Sequence, residues 1–482
     1  MPDAATYRRQ ADDAVRAGRF ADAADLYKKE AAIYRKNGDV NGAKVEEMKA
    51  ARYESVLCLF VHQEGANPSQ AAQPKTGDLA KWEPPYGCYL GGFIDRDERL
   101  GDVFTDENFQ AHRDPERFGE ITGKKHATVF CYVSYGKRFP TRWVARLRGQ
   151  GVAAHIAWEP NGGLDVVQDD EYLREWAQDA ARTRAPIFLR YASEMNGDWT
   201  RYGGNPKTYV EKWKLVKSVM DKYAPNVAMV WCVNAIPEPP IASFYPGDDF
   251  VDWVGVNFYS VPFRDNNRAR AALFENPADS LPFVYNAYAA KKPIMIGEFG
   301  ASHRSSLDGV ERGAWAGRKI AELYASLPRL FSRVKCVDIF DNDNMKYAQA
   351  GRQLNNYSVT DTPAVLNAYK RAIAPDYFLS DVWGAWGNSP TMPDKQTIIV
   401  PLAAKLTVPR GTLRVSAWGR TYAETFTVAY KINGNKVASV AETGDRGANL
   451  PMETPGEYVV EALLLDDKGR VATRTATTIT VI

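Results

Sequence analysis

The sequence lacks most of the features that would place a chain of this size in a specialised class. Its five cysteines are scattered and form no CxxC pair, which argues against a metal site and favours buried thiols. The 61 basic and 59 acidic side chains nearly cancel, so charge gives no argument for nucleic acid or an anionic membrane surface as a partner. No stretch approaches the roughly 20 apolar residues of a membrane-spanning helix, so we expect no membrane span.

Nucleotide-binding motifs are also missing. No GxGxxG or GxxxxGK[ST] follows the first strand of the α/β region, so a nucleotide-binding open sheet has no support. We expect no cofactor and no catalytic metal, while a structural Ca²⁺ stays open. The start, MPDAATYRRQ, has no apolar segment behind its arginines, which predicts no signal peptide. We expect an extracellular or cell-envelope protein whose signal has been removed, with a cytoplasmic location as the alternative.

The N-terminal part of the sequence has a helical pattern. Residues 1–62 carry apolar and alanine stripes at helical spacing, with turns near Ala17-Gly18 and Asn37-Gly38, and the pattern is similar to one tetratricopeptide-like unit. A single unit of this kind cannot bury its apolar face alone. We therefore expect it to pack on the rest of the chain, with docking of a protein partner as the second possibility. Residues 63–85, with four prolines, read as a linker.

Residues 86–375 alternate apolar runs with helical stretches. Short continuous apolar runs are typical of strands buried on both faces in a parallel sheet. The repetition predicts a (β/α)8 TIM barrel, and a doubly wound open sheet is the alternative. The predicted strands are residues 87–94, 127–134, 152–158, 186–191, 227–233, 251–259, 293–297 and 334–340.

The C-terminal region changes character. Residues 376–395 are rich in Trp, Gly and Pro and read as a second linker or strap. Residues 396–482 contain short alternating strands separated by turns such as Asn433-Gly434-Asn435. This predicts an all-β sandwich that is similar to immunoglobulin-like modules.

Two glutamates stand where predicted strands end. Glu194 follows the apolar run Pro186–Leu189 within PIFLRYASEMNGDWTRYGG, and Glu298 follows Pro293–Ile296 within PIMIGEFG. The C-terminal ends of barrel strands carry the chemistry in folds of this kind. Two carboxyl groups facing each other across a cleft are what cleavage of a glycosidic bond needs.

Three motifs extend the comparison to a known family. LRYASEMNG with Trp199, then YPGD leading into VDWVG, then GEFG, occur in this order and together resemble glycoside hydrolase family 26. The resemblance covers about residues 85–375 and implies a retaining (β/α)8 hydrolase of β-mannan, β-glucan or xylan. It implies that Glu194 is the acid/base and Glu298 the nucleophile.

The same resemblance suggests supporting residues. Tyr259 resembles the tyrosine that hydrogen-bonds the nucleophile, and Trp158 and Trp199 resemble aromatic residues that border the sugar. For both tryptophans, packing at the barrel rim is an equal alternative. Ser193 stands where the family's mannanases usually have His, so a β-glucan or another β-linked exopolysaccharide competes with mannan as the substrate.

The chemistry of four further residues suggests candidate roles for them in the site. Arg190 is a candidate for keeping a carboxylate ionised. Asn196 either orients Glu194 or caps a turn. Asn234 either binds sugar hydroxyls or satisfies the backbone, and Glu159 is a candidate for sugar contact.

The expected function is a retaining, endo-acting β-glycoside hydrolase, for which the two carboxyl groups should lie ~5–5.5 Å apart. The alternative is a non-catalytic carbohydrate-binding or exopolysaccharide-assembly protein on the same barrel. In both cases the expected partner is a β-linked polysaccharide or oligosaccharide.

Overall fold

The computed structural model describes residues 2–17, 19–64, 79–386, 397–421, 425–441 and 443–482. The chain divides into two compact units. One comprises Met1–Glu64, Phe263–Asp279 and Thr397–Ile482, and the other comprises Gly65–Pro262 and Ser280–Gln396. In the described part of the chain, no helix is long and apolar enough to cross a membrane.

The chain starts with helices α1 (Ala4–Arg16), α2 (Phe20–Lys36) and α3 (Val40–Arg52), followed by strand β1 (Val56–Glu64). Small side chains lie where the helices cross, since Ala11, Ala14, Ala23 and Ala50 are buried against Tyr27. Asp3 and Asp39 begin α1 and α3 by accepting hydrogen bonds from backbone amides of the first turn, as N-cap residues do.

The unit around the central sheet alternates strands with helices. Its strands are β2 (Cys88–Phe93), β3 (Phe104–Thr105), β4 (Ala111–His112), β5 (Thr128–Ser134), β6 (Ala153–Glu159), β7 (Ile187–Tyr191), β8 (Val227–Asn234), β9 (Trp253–Ser260), β10 (Ile294–Ala301), β11 (Arg304–Ser305), β12 (Val334–Phe340), β13 (Asn355–Asn356) and β14 (Phe378–Leu379). Its helices are α4 (Pro115–Thr122), α5 (Thr141–Gly149), α6 (Glu171–Thr183), α7 (Pro206–Tyr223), α8 (Pro282–Tyr288), α9 (Gly313–Leu330), α10 (Asn344–Tyr347) and α11 (Pro363–Ile373).

The main sheet of this unit is parallel and curls into a barrel. Its order is β14-β2-β12-β10-β9-β8-β7-β6-β5. The amide of Ala127, next to β5, donates to the Leu90 carbonyl of β2 at 2.8 Å, which brings the two sides of the sheet together. The prediction of a (β/α)8 TIM barrel is confirmed, and the predicted strands coincide with β2, β5 to β10 and β12.

The barrel interior contains a buried polar cluster at mid-height. His155 of β6 and Thr128 of β5 contact the Asp338 carboxylate of β12 at 3.0 and 2.9 Å. His155 is therefore a hydrogen-bonded core residue. Cys88, Cys131, Cys232 and Cys336 are free thiols buried in barrel strands.

The outer helices start at residues that cap them. Asp170 accepts from the Leu173 amide at 2.9 Å before α6, and Asn205 accepts from the Thr208 amide at 3.2 Å before α7. Pro206 occupies the first turn of α7, where its missing N–H costs nothing. These caps fix where each helix leaves the loop that follows a strand.

The C-terminal strands form two facing sheets. They are β15 (Thr397–Pro401), β16 (Leu406–Val408), β17 (Gly411–Arg420), β18 (Thr427–Ile432), β19 (Asn435–Val440), β20 (Ala448–Met452), β21 (Gly456–Leu465) and β22 (Val471–Val481). The sheet orders are β15-β1-β17-β20 and β16-β22-β21-β18-β19. Residues of both sheets share one buried apolar cluster that includes Val415, Leu450 and Leu464, so the expected sandwich is present.

The N-terminal segment supplies a strand of this sandwich, which the sequence did not indicate. The helical prediction to residue 62 is wrong after Arg52, because β1 pairs antiparallel with both β15 and β17. Leu57, Leu59 and Val61 alternate along β1 and enter the sandwich core, the period expected of a half-buried strand. The predicted 63–85 linker falls largely on residues outside the described ranges, whereas the predicted 376–395 linker or strap is described through residue 386 and contains β14, which pairs with β2. The module boundaries stay a prediction.

The strand β1 gives a stability test. We expect Leu59→Ala to lower the free energy of unfolding of the sandwich by about 2–5 kcal/mol, because it deletes buried methyl groups from a shared core. Hydrogen exchange followed by mass spectrometry should show faster exchange in peptides of β17 and β21, with barrel peptides unchanged. Gln63→Ala, near the end of the same strand, is the control. Equal exchange in both variants would contradict the role of β1.

Candidate active site

Glu298 lies near the C-terminal end of β10, opposite Asn257 of β9. Its side chain is buried. Its Oε1 accepts hydrogen bonds from the Tyr132 hydroxyl at 2.6 Å and from Arg190 Nη2 at 2.5 Å, and its Oε2 accepts from the Tyr259 hydroxyl. Three donors from three other strands, one of them the charged guanidinium of Arg190, thus hold both oxygens of this carboxyl group in place.

Arg190 on β7 organises the centre of the site. Its guanidinium has no solvent exposure, and besides Glu298 it donates through Nη1 to the Gly297 carbonyl at 3.1 Å and to Asn257 Oδ1 at 3.2 Å. A Cβ atom on Gly297 would lie 2.8 Å from Asn257 Oδ1 and 2.9 Å from Arg190 Nη1. Glycine is needed here because the arginine and the asparagine occupy the space of a side chain.

Glu194 follows β7 in a strained turn. Its backbone has φ +59°, and that of Ala192 has φ +46°, the left-handed region that residues other than glycine rarely adopt. The Glu194 amide donates to the Cys232 carbonyl of β8 at 2.9 Å. This turn directs the carboxyl group toward β8 and β9.

Three neutral donors surround the Glu194 carboxyl group. Oε1 accepts from the side-chain amides of Asn257 and Asn234 at 2.9 and 3.1 Å, and Oε2 accepts from the Trp199 indole at 2.8 Å. Burial raises the pKa of Glu194, and the negative charge of Glu298 raises it further, against the lowering effect of these three bonds. Glu298 thus accepts from a charged donor, whereas the three donors to Glu194 are neutral.

A continuous hydrogen-bond chain joins the two carboxyl groups. Asn257 donates to Glu194 and accepts from Arg190, and Arg190 donates to Glu298. One carboxyl group is thereby held next to a fixed positive charge and the other next to amide and indole donors. Such a pair is suited to separate the roles of proton donor and anion.

Two more residues suggested by the sequence lie beside this pair. Trp199 keeps 41% of its surface exposed while its N–H is on Glu194, so one region of the ring is open to a ligand. A Cβ atom on Gly197 would lie 2.4 Å from the Trp199 ring, so Gly197 is needed for this close approach. The Asn196 side chain bonds the Asn234 amide and carbonyl at 2.9 and 2.8 Å and so positions Asn234, which in turn donates to Glu194.

Two sequence interpretations need correction. Trp158 has no solvent exposure and stacks on Trp176 of α6 at 4.0 Å, so it is a packing residue with no face open to a sugar. The reason is strand alternation, since His155 and Glu159 of β6 face the interior and Trp158 faces the helices. Glu159 is buried against Ser193 and Tyr202 and is not an exposed contact for sugar.

Tyr132 is a site residue that the sequence reasoning missed. Tyr132 lies two residues after Phe130 on β5, and alternate residues share one face of a strand. This spacing could have indicated that Tyr132 lies on the same face as Phe130. The bridging of the two glutamates through Asn257 and Arg190 was likewise not predicted from the sequence. Among the described residues no cluster of His, Cys, Asp and Glu is arranged to hold a metal ion.

The chain is similar to a known family and to several named enzymes. The family model described as Glycosyl hydrolase family 26 matches residues 114–288, which include Glu194 and end before Glu298. Endoglucanase H of Acetivibrio thermocellus is 24% identical over 343 residues, 67% of this chain and 34% of that protein. A beta-1,3-xylanase of Alcaligenes sp is 30% identical over 108 residues, 21% of this chain and 23% of that protein. The chain thus spans about a third or less of these relatives.

A solved structure, a Cellulomonas fimi endo-beta-1,4-mannanase double mutant, matches with a TM-score of 0.44 and 17% identity, over 86% of this chain and 98% of that chain.

The Arg190–Glu298 pair predicts strong energetic coupling. We expect Arg190→Met to destabilise the barrel by about 3–5 kcal/mol, because a buried carboxylate loses its charged partner. The double variant Arg190→Met/Glu298→Gln should lose less than the sum of the single variants by about 0.5–3 kcal/mol, measured by denaturant unfolding. The exposed pair Arg117–Glu120, 2.7 Å apart, is the control and should show coupling close to zero. Additive losses at Arg190 and Glu298 would contradict the pairing.

Proposed function

The chain belongs to glycosyl hydrolase family 26 through residues 114–288, and from this premise we propose that it is a retaining, endo-acting β-glycoside hydrolase using two glutamates. The observation that carries the proposal is the hydrogen-bond chain from Glu194 through Asn257 and Arg190 to Glu298. It holds two carboxyl groups together while giving them different environments. The separation of ~5–5.5 Å expected for retention stays a prediction.

In the first step Glu298 attacks the anomeric carbon and Glu194 protonates the departing oxygen. Arg190, Tyr132 and Tyr259 hold Glu298 as an oriented anion, so that the nucleophile needs no rearrangement before attack. Glu194 is suited to carry the proton, because burial and the Glu298 charge both raise its pKa. The products of this step are a glycosyl ester on Glu298 and a released alcohol.

In the second step Glu194 changes its role. Once Glu298 is esterified, its negative charge is gone, and with it one of the causes that raise the pKa of Glu194. The Asn234, Asn257 and Trp199 donors remain and favour the carboxylate. Glu194 then takes a proton from water, which attacks the anomeric carbon from the face that the leaving group vacated. The bond from that carbon to Glu298 breaks, Glu298 leaves as the carboxylate, and the product has net retention.

We propose a β-glucan as the substrate, with β-1,3-xylan and β-mannan as alternatives. The relative that aligns with two thirds of this chain is named an endoglucanase, and the other is named a beta-1,3-xylanase. The half-exposed ring of Trp199 beside Glu194 provides a surface on which a pyranose can stack. Because the substrate is a polymer, we expect an extracellular or cell-envelope location.

Reducing-sugar release from β-1,4-glucan, mixed-linkage glucan, β-1,3-xylan and β-mannan separates these possibilities. NMR of the first-formed products reports the anomer and thus retention. Tight binding of one polymer with no cleavage of any would instead support the carbohydrate-binding or exopolysaccharide-assembly alternative.

Removing either glutamate should give distinct rescue products. We expect Glu298→Ala and Glu194→Ala to lower kcat on the polymer by about 10²-fold or more, since each removes a proton-transfer or nucleophilic step. With azide and an activated aryl glycoside, Glu298→Ala should form the α-glycosyl azide and Glu194→Ala the β-glycosyl azide. Glu175→Ala, exposed on α6, is the control. The same azide anomer from both variants would contradict the assigned roles.

The indole hydrogen bond on Glu194 predicts a shift in pH dependence. Trp199→Phe keeps an aromatic ring and removes a donor that lowers the pKa of Glu194. That pKa should rise, and the alkaline limb of kcat/KM should therefore move to higher pH. Trp418→Phe in the sandwich serves as the control. A limb that stays in place or moves to lower pH would argue against Glu194 as the acid.

A further inference from the structure

A third carboxyl group lies next to the Glu194 turn. Glu159, the last residue of β6, is buried and its Oε1 accepts from the Ser193 hydroxyl at 2.6 Å. Its Oε2 contacts the Tyr202 hydroxyl, which also lies 2.8 Å from the Ser193 carbonyl oxygen. Ser193 is thus held twice, once through its side chain and once through its backbone.

Counting protons shows which form of Glu159 completes this cluster. Its three hydrogen bonds join Ser193 to Glu159, Glu159 to Tyr202, and Tyr202 to the Ser193 carbonyl. Each needs one hydrogen, and the two hydroxyl groups supply two. The third hydrogen is available only when Glu159 is protonated. It then donates to Tyr202, and Tyr202 donates to the carbonyl.

The residue that is held in this way stands between two strained positions. Ala192 and Glu194, on either side of Ser193, both have positive φ angles of +46° and +59°. Such backbone costs of order 1–3 kcal/mol per residue and persists only where its surroundings hold it. The two contacts on Ser193 and the bond from the Glu194 amide to the Cys232 carbonyl together hold this turn.

We propose that Glu159 in its protonated form is a positioning residue, which holds Ser193 directly and through Tyr202 and thereby orients the acid/base Glu194. This inference rests on the proposed function for its catalytic consequence. The protonation state of Glu159 itself does not depend on that function.

The electrostatic surroundings agree with this assignment. Burial raises the pKa of Glu159 to about 7, the charge of Glu194 raises it, and Ser193, Tyr202 and Arg190 lower it. The other titratable groups whose charges couple to Glu159 are Tyr191, Tyr209 and Cys232. Above about pH 7 Glu159 loses the third hydrogen, and Tyr202 then bonds either the carboxylate or the Ser193 carbonyl.

Infrared spectroscopy tests the protonation directly. The wild-type minus Glu159→Gln difference spectrum at pH 6 should contain the carbonyl stretch of a protonated carboxyl group, and the band should disappear by pH 8.5. The exposed Glu175→Gln is the matched control and should give no such band at either pH. No protonated band at pH 6 in the Glu159 difference spectrum overturns the proposal, whether or not the protein cleaves any polysaccharide.

Kinetics test the positioning role. Glu159→Gln retains an acceptor for Ser193 and an N–H donor for Tyr202, so it should keep most of the wild-type kcat at pH 6. Glu159→Ala should lose about 10²-fold in kcat, the scale on which small misplacements act, with KM little changed. The alkaline limb of kcat/KM should report two ionisations in the wild type and one in Glu159→Gln.

Equal losses in Glu159→Gln and Glu159→Ala would overturn the proposal, because they would show that the charged carboxylate is required. An unchanged Glu159→Ala variant would overturn it as well. If even the wild type cleaves none of the polymers, the proposed function fails, and the infrared result alone then decides the state of Glu159.

Discussion

The guanidinium of Arg190 is charged at every pH that the protein meets, and it is buried inside the barrel, where an unpaired charge would be very costly. Its partners are therefore fixed by necessity. Glu298 supplies the opposite charge, and Asn257 and the Gly297 carbonyl each accept a hydrogen bond from Nη1. The absence of a side chain at Gly297 leaves room for this arrangement. The orientation of the anionic carboxylate thus follows from the burial of one cation.

Glu194 is controlled by different means. Among the described residues no cation pairs with its carboxyl group, which accepts hydrogen bonds from amide and indole donors, while its backbone is held in a strained turn. The neighbouring Glu159 cluster fastens that turn through Ser193. Three carboxyl groups at the ends of β6, β7 and β10 therefore differ in what surrounds them. Because all three are glutamates, it is the surroundings that suit Glu298 to be an anion and suit Glu194 and Glu159 to hold a proton.

The unit that contains the sandwich shows how non-local pairing overrides local pattern. Strand β1 follows three helices, yet its ladder partners β15 and β17 lie in the C-terminal part of the chain. Within the same unit, the rings of Phe20 and Phe274 are in contact, 4.7 Å between centroids. Arg420 of β17 pairs with Asp279 and with the Ala51 carbonyl. Within this unit, helices α2 and α3, residues 263–279 and strand β17 are thus joined by contacts of the Phe20, Phe274 and Arg420 side chains.

The sequence by itself determined the barrel and its two strand-end glutamates. Strands buried on both faces read as continuous apolar runs, and the carboxyl ends of parallel strands meet at one edge. The family resemblance suggested Tyr259 as a partner of Glu298, and its chemistry suggested Arg190 as a partner of a carboxylate; the side chains of both contact Glu298. Only the tertiary structure decided that Trp158 faces the helices, that Tyr132 reaches Glu298 and that β1 joins the sandwich. Alternation along a strand separates its two faces without saying which one is interior, and hydrogen-bond partners distant in the chain leave no local pattern.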